Sequence, residues 1–167
     1  MGGIEARRRS NIPVYDLSLK SMDSKICKIL LAEDNPGDVF LVRRALNEAL
    51  KIPEFSYTLQ LAKDGEEAIR LLERSEADLD RIDLVLLDLN LPRRNGVEVL
   101  GHLNALPHLG STPTIIMTSS DSPVDRERCL DLGASYYFRK PTELASFMEI
   151  GKIALNLIER ARCSKQE

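Results

Sequence analysis

Five side chains scattered along this 167-residue chain could do chemistry together if the fold gathered them. They are Glu33, Asp34, Asp88, Thr118 and Lys140, each standing just past a short apolar run. Three carboxylates brought close repel one another and raise each other's pKa unless a cation sits among them. A hard divalent cation relieves that repulsion. Magnesium takes about six oxygens, usually from one or two carboxylates plus phosphate and water. Asp34 and Asp88 are therefore the expected ligands, with the backbone carbonyl of Asn90 as a third and Glu33 acting through a bound water. Taken singly, each group has an ordinary explanation, an N-cap for an aspartate or a solvated surface lysine. Only their joint placement points to a site.

That placement depends on the elements between them. Apolar runs at Ile26–Ala32, Phe55–Leu61, Leu84–Leu87, Thr114–Met117 and Ser135–Phe138 alternate with amphipathic stretches. The stretches are Asp38–Leu50, Glu66–Arg74, Val97–Leu106, Pro123–Leu132 and Glu143 to about Ala161. Five strands alternating with five helices predict a doubly wound parallel α/β sheet. A strand buried on both faces reads as unbroken apolar sequence, as in the first, third and fourth runs. The second alternates apolar with polar residues and the fifth carries Ser135, Tyr136 and Arg139, so these two are edges. The resulting order, 2-1-3-4-5, is that of flavodoxin-like folds, which bind ligands beyond the carboxyl ends of the strands where the order reverses. Glu33, Asp34, Asp88, Thr118, Ser119, Ser120 and Lys140 all fall at those ends.

Helix punctuation agrees. Ser122 before Pro123, with Asp125 three residues on, predicts an N-cap. Gly133 fits a C′ position, and Thr142 suits the N-cap of the last helix. That helix carries a docking stripe of Leu144, Phe147, Met148, Gly151, Ala154, Leu155 and Ile158.

Composition limits what else the chain could be. It is 43% hydrophobic and 29% charged, close to globular averages. The net charge of −3 gives no reason to expect nucleic acid, whose binding needs clustered positive charge. No apolar run approaches the ~20 residues needed to cross a bilayer. Cys27, Cys129 and Cys163 are too few and too far apart for a disulfide framework or zinc site, which suits reduced thiols in the cytoplasm. Residues 1–24, with Arg7, Arg8 and Arg9, lack periodicity and read as a tail; residues 25–162 form the domain and 163–167 a short C-terminal tail. His102 and His108 read as surface residues.

The segments ILLAEDNPGD (29–38), LVLLDLNLPRRNG (84–96), TIIMTSS (114–120) and LGASYYFRKP (132–141) resemble the receiver domains of two-component response regulators. Asp88 stands 30 residues before Thr118 and 52 before Lys140, matching the family's register. EDNPGD, NLPRRNGVEVL and the long spacer from Asp34 to Asp88 further resemble the stand-alone receivers of cyanobacterial-type phytochrome kinases, although those relatives often carry Trp near their end and this chain has none.

The resemblance implies that Asp88 is a phosphoacceptor for a sensor histidine kinase, forming an acyl phosphate with magnesium (or manganese) present. Asp34 would ligate the metal, Glu33 would assist through water, and Lys140 would pair with a phosphoryl oxygen, aimed inward by a cis Lys140–Pro141 bond that costs only about 0.5–1 kcal/mol before proline. Thr118 and Tyr137 would be the switch residues. With few residues after the last helix, the expected role is a phosphorelay module that switches partner binding and has no enzymatic output of its own. The expected assembly is a homodimer through helix four, strand five and helix five. Two alternatives differ in class. A haloacid-dehalogenase-type phosphatase would want an acid where Asn90 stands, and a phosphorylation-independent pseudo-receiver would want losses among Glu33, Asp34, Asp88, Thr118 and Lys140.

Overall fold

In the computed structural model, which describes residues 26–51, 55–75 and 81–164, strand follows helix along the chain. The order is β1 (Cys27–Ala32), α1 (Pro36–Ala49), β2 (Tyr57–Ala62), α2 (Gly65–Arg74), β3 (Leu84–Asp88), α3 (Gly96–Ala105), β4 (Thr114–Thr118), α4 (Pro123–Asp131) and β5 (Tyr136–Arg139). Two helical segments close it, α5 (Leu144–Phe147) and α6 (Glu149–Cys163). The sheet has the order β2-β1-β3-β4-β5, and all four pairings are parallel. The proposed tail 1–24 and the last three residues lie outside the described residues.

Pleating splits each central strand between two cores. Ile29 and Leu31 face α1 and α6, packing with Val42, Leu46, Ile150 and Ala154. Leu30 and Ala32 face α2 and α3, packing with Leu72, Val99, Leu100 and Leu103. Both faces of β1, β3 and β4 are thus dry, which is why those strands read as continuous apolar runs. Edge strand β2 alternates half-buried and exposed residues. Cys27 and Cys129 are buried and Cys163 is exposed, all three as free thiols. No helix among the described residues is long and apolar enough to cross a membrane.

The caps of α4 follow the sequence. Ser122 accepts from the Asp125 amide with Pro123 at the first helical position. Gly133 adopts φ +91° and its amide bonds Leu130 O while that of Ala134 bonds Cys129 O, a Schellman closure.

The last helix departs from expectation. Thr142 is not its N-cap; Glu143 holds that position, with no side-chain capping bond. The start is set by Phe147, whose amide bonds Glu143 O and whose buried ring meets Phe138 edge-on at 5.9 Å. That docking turns Leu144 outward, to 45% exposure, so it leaves the predicted stripe. Instead of one helix there are two segments around Met148, which keeps helical dihedrals while the Gly151 amide takes a tighter bond to its carbonyl.

Helices α1 and α6 touch backbone to backbone at Gly151, where a Cβ would overlap the carbonyl oxygen of Ala45. Gly101, inside α3, has nothing within 4 Å of such a Cβ. Gly151→Ala should destabilise the fold by about 1–3 kcal/mol through overpacking. Gly101→Ala should stabilise it by about 0.5–1 kcal/mol by removing the helix-interior glycine penalty. Urea unfolding of the two variants with unchanged m-values would show midpoints moving in opposite directions.

Candidate functional site

The crevice lies past the carboxyl ends of β1, β3, β4 and β5, and its walls are built by local backbone chemistry. Leaving β1, Glu33 keeps strand geometry by donating its amide to Ala62 O, which drives its side chain into the interior at 1% exposure. Its Oε1 accepts the Asn35 amide at 3.0 Å. Asn35 then caps α1, its Oδ1 accepting from Gly37 at 2.8 Å. Asp34 lies exposed between them, so the capping duty that could have explained an aspartate here belongs to Asn35.

Asp88 ends β3 and is 5% exposed. Its Oδ1 accepts the Asn90 amide at 2.9 Å. The loop beyond is folded tightly against it: the Gly96 amide bonds Leu89 O, and a Cβ on Gly96 would overlap the Asp88 carbonyl. Within that loop Arg93 holds φ +67° and its guanidinium reaches Glu66 at 3.3 Å and Asp64 at 3.5 Å. Asn95 caps α3 through a reciprocal bond pair with Glu98. Asn90 itself is exposed.

Lys140 arrives from β5 with its amide bonded to Thr118 O at 2.8 Å. Its side chain is only 8% exposed, and Nζ donates to Glu33 Oε2 at 2.7 Å, Asp88 Oδ2 at 2.7 Å and Asp38 Oδ2 at 2.8 Å. Burial alone would pull the ammonium pKa down, but hydrogen bonds to Asp38, Asp88 and Glu33 outweigh it and hold the pKa above the usual lysine range. Burial pushes the Glu33 carboxyl up, against the opposing pull of Lys140. The expected cis bond after Lys140 is absent: no described peptide is cis. The β4–β5 register already sends the lysine inward, so no isomer is needed to aim it.

Thr118 is fully buried and its Oγ1 accepts the Ser120 amide at 3.1 Å. Ser120 Oγ donates to Asp125 Oδ2 at 3.0 Å and accepts the Ser122 amide at 3.2 Å. Tyr137 packs against the α2/α3/α4 core. Burial of its hydroxyl, with Cys129 and Asp125 nearby, raises its pKa against the opposing pull of a side-chain hydrogen bond with Ser120. Tyr136 points the other way and is 42% exposed. Of the histidines, His102 on α3 pairs with Glu73 of α2 at 3.1 Å and His108, in the turn after α3, stands 3.4 Å from Ser75 Oγ.

The fold therefore gathers Glu33, Asp34, Asp88 and Lys140, with Thr118 in the adjoining wall. One carboxylate oxygen from each of Glu33, Asp34 and Asp88 lies within 4.8 Å of the others, a donor set of hard oxygens that fits magnesium or manganese. The residue missed from sequence is Asp38. Its place at the third position of α1, in EDNPGD, was legible as a first-turn acid favoured by the helix dipole. That it reaches Lys140, 102 residues away, depends on how β5 ends.

Two substitutions separate metal duty from capping duty. Asp34→Ala should leave stability in metal-free buffer within about 0.5 kcal/mol of wild type, or raise it by easing repulsion. Asn35→Ala should cost about 1 kcal/mol as a lost cap. Thermal melts in chelator test both; a large loss in Asp34→Ala would make it structural.

The response regulator receiver domain model matches residues 29–151. Response regulator Rcp1 of Synechocystis is 32% identical over 124 residues, covering 73% of this chain and 82% of its own. The crystal structure of the phosphorylated cyanobacterial phytochrome response regulator RcpA superposes with TM-score 0.66 at 32% identity, over 76% of this chain and 89% of that one. The receiver domain of the Pseudomonas aeruginosa sensor histidine kinase PA1611, with magnesium coordinated in its active-site cleft, gives TM-score 0.64 at 30% identity, over 80% of this chain and 98% of that one. Other curated relatives are longer: the transcriptional regulatory protein CpxR of Escherichia coli, 39% identical over 114 residues, is spanned over 43% of its length.

Proposed function

This chain belongs to the response regulator receiver domain family, whose general function is to be phosphorylated by a histidine kinase, and from that premise we propose that Asp88 is its phosphoacceptor. The observation that carries the assignment is the contact between Asp88 and Lys140 at 2.7 Å, with Glu33 and Asp34 gathered beside it. In the proposed transfer an Asp88 carboxylate oxygen attacks the phosphorus of a kinase phosphohistidine. The P–N bond breaks, its electron pair stays on the imidazole, and the acyl phosphate P–O bond forms. Lys140 turns one N–H from Asp88 to a phosphoryl oxygen, a charge-assisted bond. Thr118 donates its hydroxyl to another.

Asp34, Asp88 and the Asn90 carbonyl would hold magnesium, with Glu33 contributing through water. When bound, the ion neutralises charge on the transferring group. Asn90 argues against a haloacid-dehalogenase-type hydrolase, since an amide cannot shuttle protons. The intact set Glu33, Asp34, Asp88, Thr118 and Lys140 argues against a pseudo-receiver.

Thr118 and Tyr137 are the proposed switch. When Thr118 turns its hydroxyl to the phosphoryl group, Oγ1 stays near the Ser120 amide it accepts from, so the change reaches α4 through Ser120 and Asp125. The proposed partner is a sensor histidine kinase, of the phytochrome class by likeness to Rcp1 and RcpA. The proposed self-association face is α4, β5 and the start of the last helix, where Val124, Tyr136 and Leu144 are exposed at 71%, 42% and 45% among the mixed charges of Asp125, Arg126, Glu127 and Arg128. Such a patch suits an isologous contact.

Labelling with a small phosphodonor, read by mass spectrometry, should add one phosphoryl group in the presence of magnesium. Asp88→Asn or excess chelator should remove it. Label that survives either treatment refutes the assignment.

The dimer has its own check by sedimentation. The wild type with phosphodonor and magnesium should sediment as a dimer, and Arg126→Glu as a monomer. Monomers in every sample would discard the face.

A further inference from the structure

A lysine ammonium has three N–H donors, and at Lys140 each has a carboxylate. Two of these, Glu33 and Asp88, belong to the carboxylate cluster suited to a cation. The third, Asp38, does not. It approaches from the first turn of α1 with its side chain 24% exposed, and its Oδ2 lies 2.8 Å from Nζ. The turn that presents it is fixed twice, by the Asn35 cap and by the Glu33 bond to the Asn35 amide.

We infer that Asp38 is a positioning residue for Lys140, serving as a second fixed anchor that keeps the ammonium in place when its bond to Asp88 is given up. The inference rests on the phosphoacceptor reading of Asp88. Once Asp88 is esterified its oxygens no longer carry a full negative charge, so the donor aimed at Oδ2 is released for the phosphoryl group. A lysine on four rotatable carbons, held only by Glu33, could swing about that single contact. Held by Glu33 just past β1 and by Asp38 in α1, it needs only to tilt. The acceptor at position 38 does this work, and its charge matters less, because Glu33 already balances the ammonium.

The test compares Asp38→Ala with Asp38→Asn, which keeps an acceptor oxygen and loses the charge. With ¹⁵N-labelled lysine, the full-length wild type should show a Lys140 ammonium resonance protected from solvent exchange, without any phosphodonor. Asp38→Asn should retain that signal and Asp38→Ala should lose it. Labelling of Asp88 by a small phosphodonor should slow about tenfold in Asp38→Ala, the scale of one charge-assisted hydrogen bond, and stay within about threefold of wild type in Asp38→Asn. Both variants remove the same charge near the cation cluster, so magnesium affinity by calorimetry should weaken to a similar extent in the two, and labelling is compared at saturating magnesium.

An unprotected ammonium in the wild type overturns the inference, as does wild-type behaviour of Asp38→Ala. So does an Asp38→Asn as impaired as Asp38→Ala, or a magnesium affinity that collapses in Asp38→Ala alone and so accounts for its slower labelling. If the wild type takes no label at all, the phosphoacceptor reading fails, and the ammonium resonance still reports on the anchor separately.

Discussion

A buried ammonium needs partners, and the ends of the parallel sheet are arranged around supplying them. Lys140 is 8% exposed, and moving an unpaired ammonium into such surroundings costs several kcal/mol after relaxation. Its three carboxylate partners outweigh that cost, as the upward displacement of its pKa records. Counting Asp34, four carboxylates face one ammonium. These side chains by themselves carry more negative charge than the ammonium balances, with Glu33 pushed up by burial. On the proposed reading, a divalent cation and a phosphoryl group would satisfy complementary halves of this arrangement. The carboxylates would favour the cation, and the cation and Lys140 together would make room for the anion.

The scaffold provides this by interlocking turns rather than by any one loop. The Gly65 amide bonds Pro92 O, and a Cβ there would overlap the Arg94 carbonyl, so the β2–α2 turn seats the β3–α3 loop from outside. Gly96 seats the same loop against Asp88 from inside. Arg93, in left-handed conformation without being glycine, sits between these two contacts. Strain at a non-glycine φ above zero costs about 1–3 kcal/mol and persists where the surroundings over-determine it. The loop that carries Asn90 is therefore held to one shape by close backbone contact on two sides. Its exposed ion pairs to α2 add little of their own.

Much of this was legible in the sequence because it rests on local rules. Burial on both faces is written as Ile29-Leu30-Leu31, Leu84-Val85-Leu86-Leu87 and Ile115-Ile116-Met117, and those runs fixed the strand order. Ser122, Pro123 and Gly133 marked α4 because capping involves near neighbours. What escaped depends on distant packing. Thr142 is a good N-cap by type, yet the start of the last helix is decided by where Phe147 meets Phe138. Leu144 fits the stripe by spacing but faces out for the same reason. Asp38 was plain as a first-turn acid, and its role needed the position of β5. The inward aim of Lys140 was credited to a cis proline when strand register suffices.

Helix α4 shows how such a fold can be rigid at its site and adjustable beside it. Only Cys129 of its nine residues is buried, so little apolar area holds its face to the sheet. It is fastened at its ends: Ser122 and the Ser120–Asp125 bond at one, the Gly133 closure and the Asn104 side chain bonded to Leu132 O at the other. Elements with few buried apolar contacts open at the low end of a protein's free-energy range. The N-terminal fastening runs through Ser120, whose amide bonds the Thr118 hydroxyl, while Tyr137 packs against the core that holds Cys129 of the same helix. A change at Thr118 acts, on the proposed reading, on a helix whose position depends on a few hydrogen bonds more than on packing. On the proposed reading, that weakness is what lets a small group on Asp88 bias the α4 surface between two arrangements.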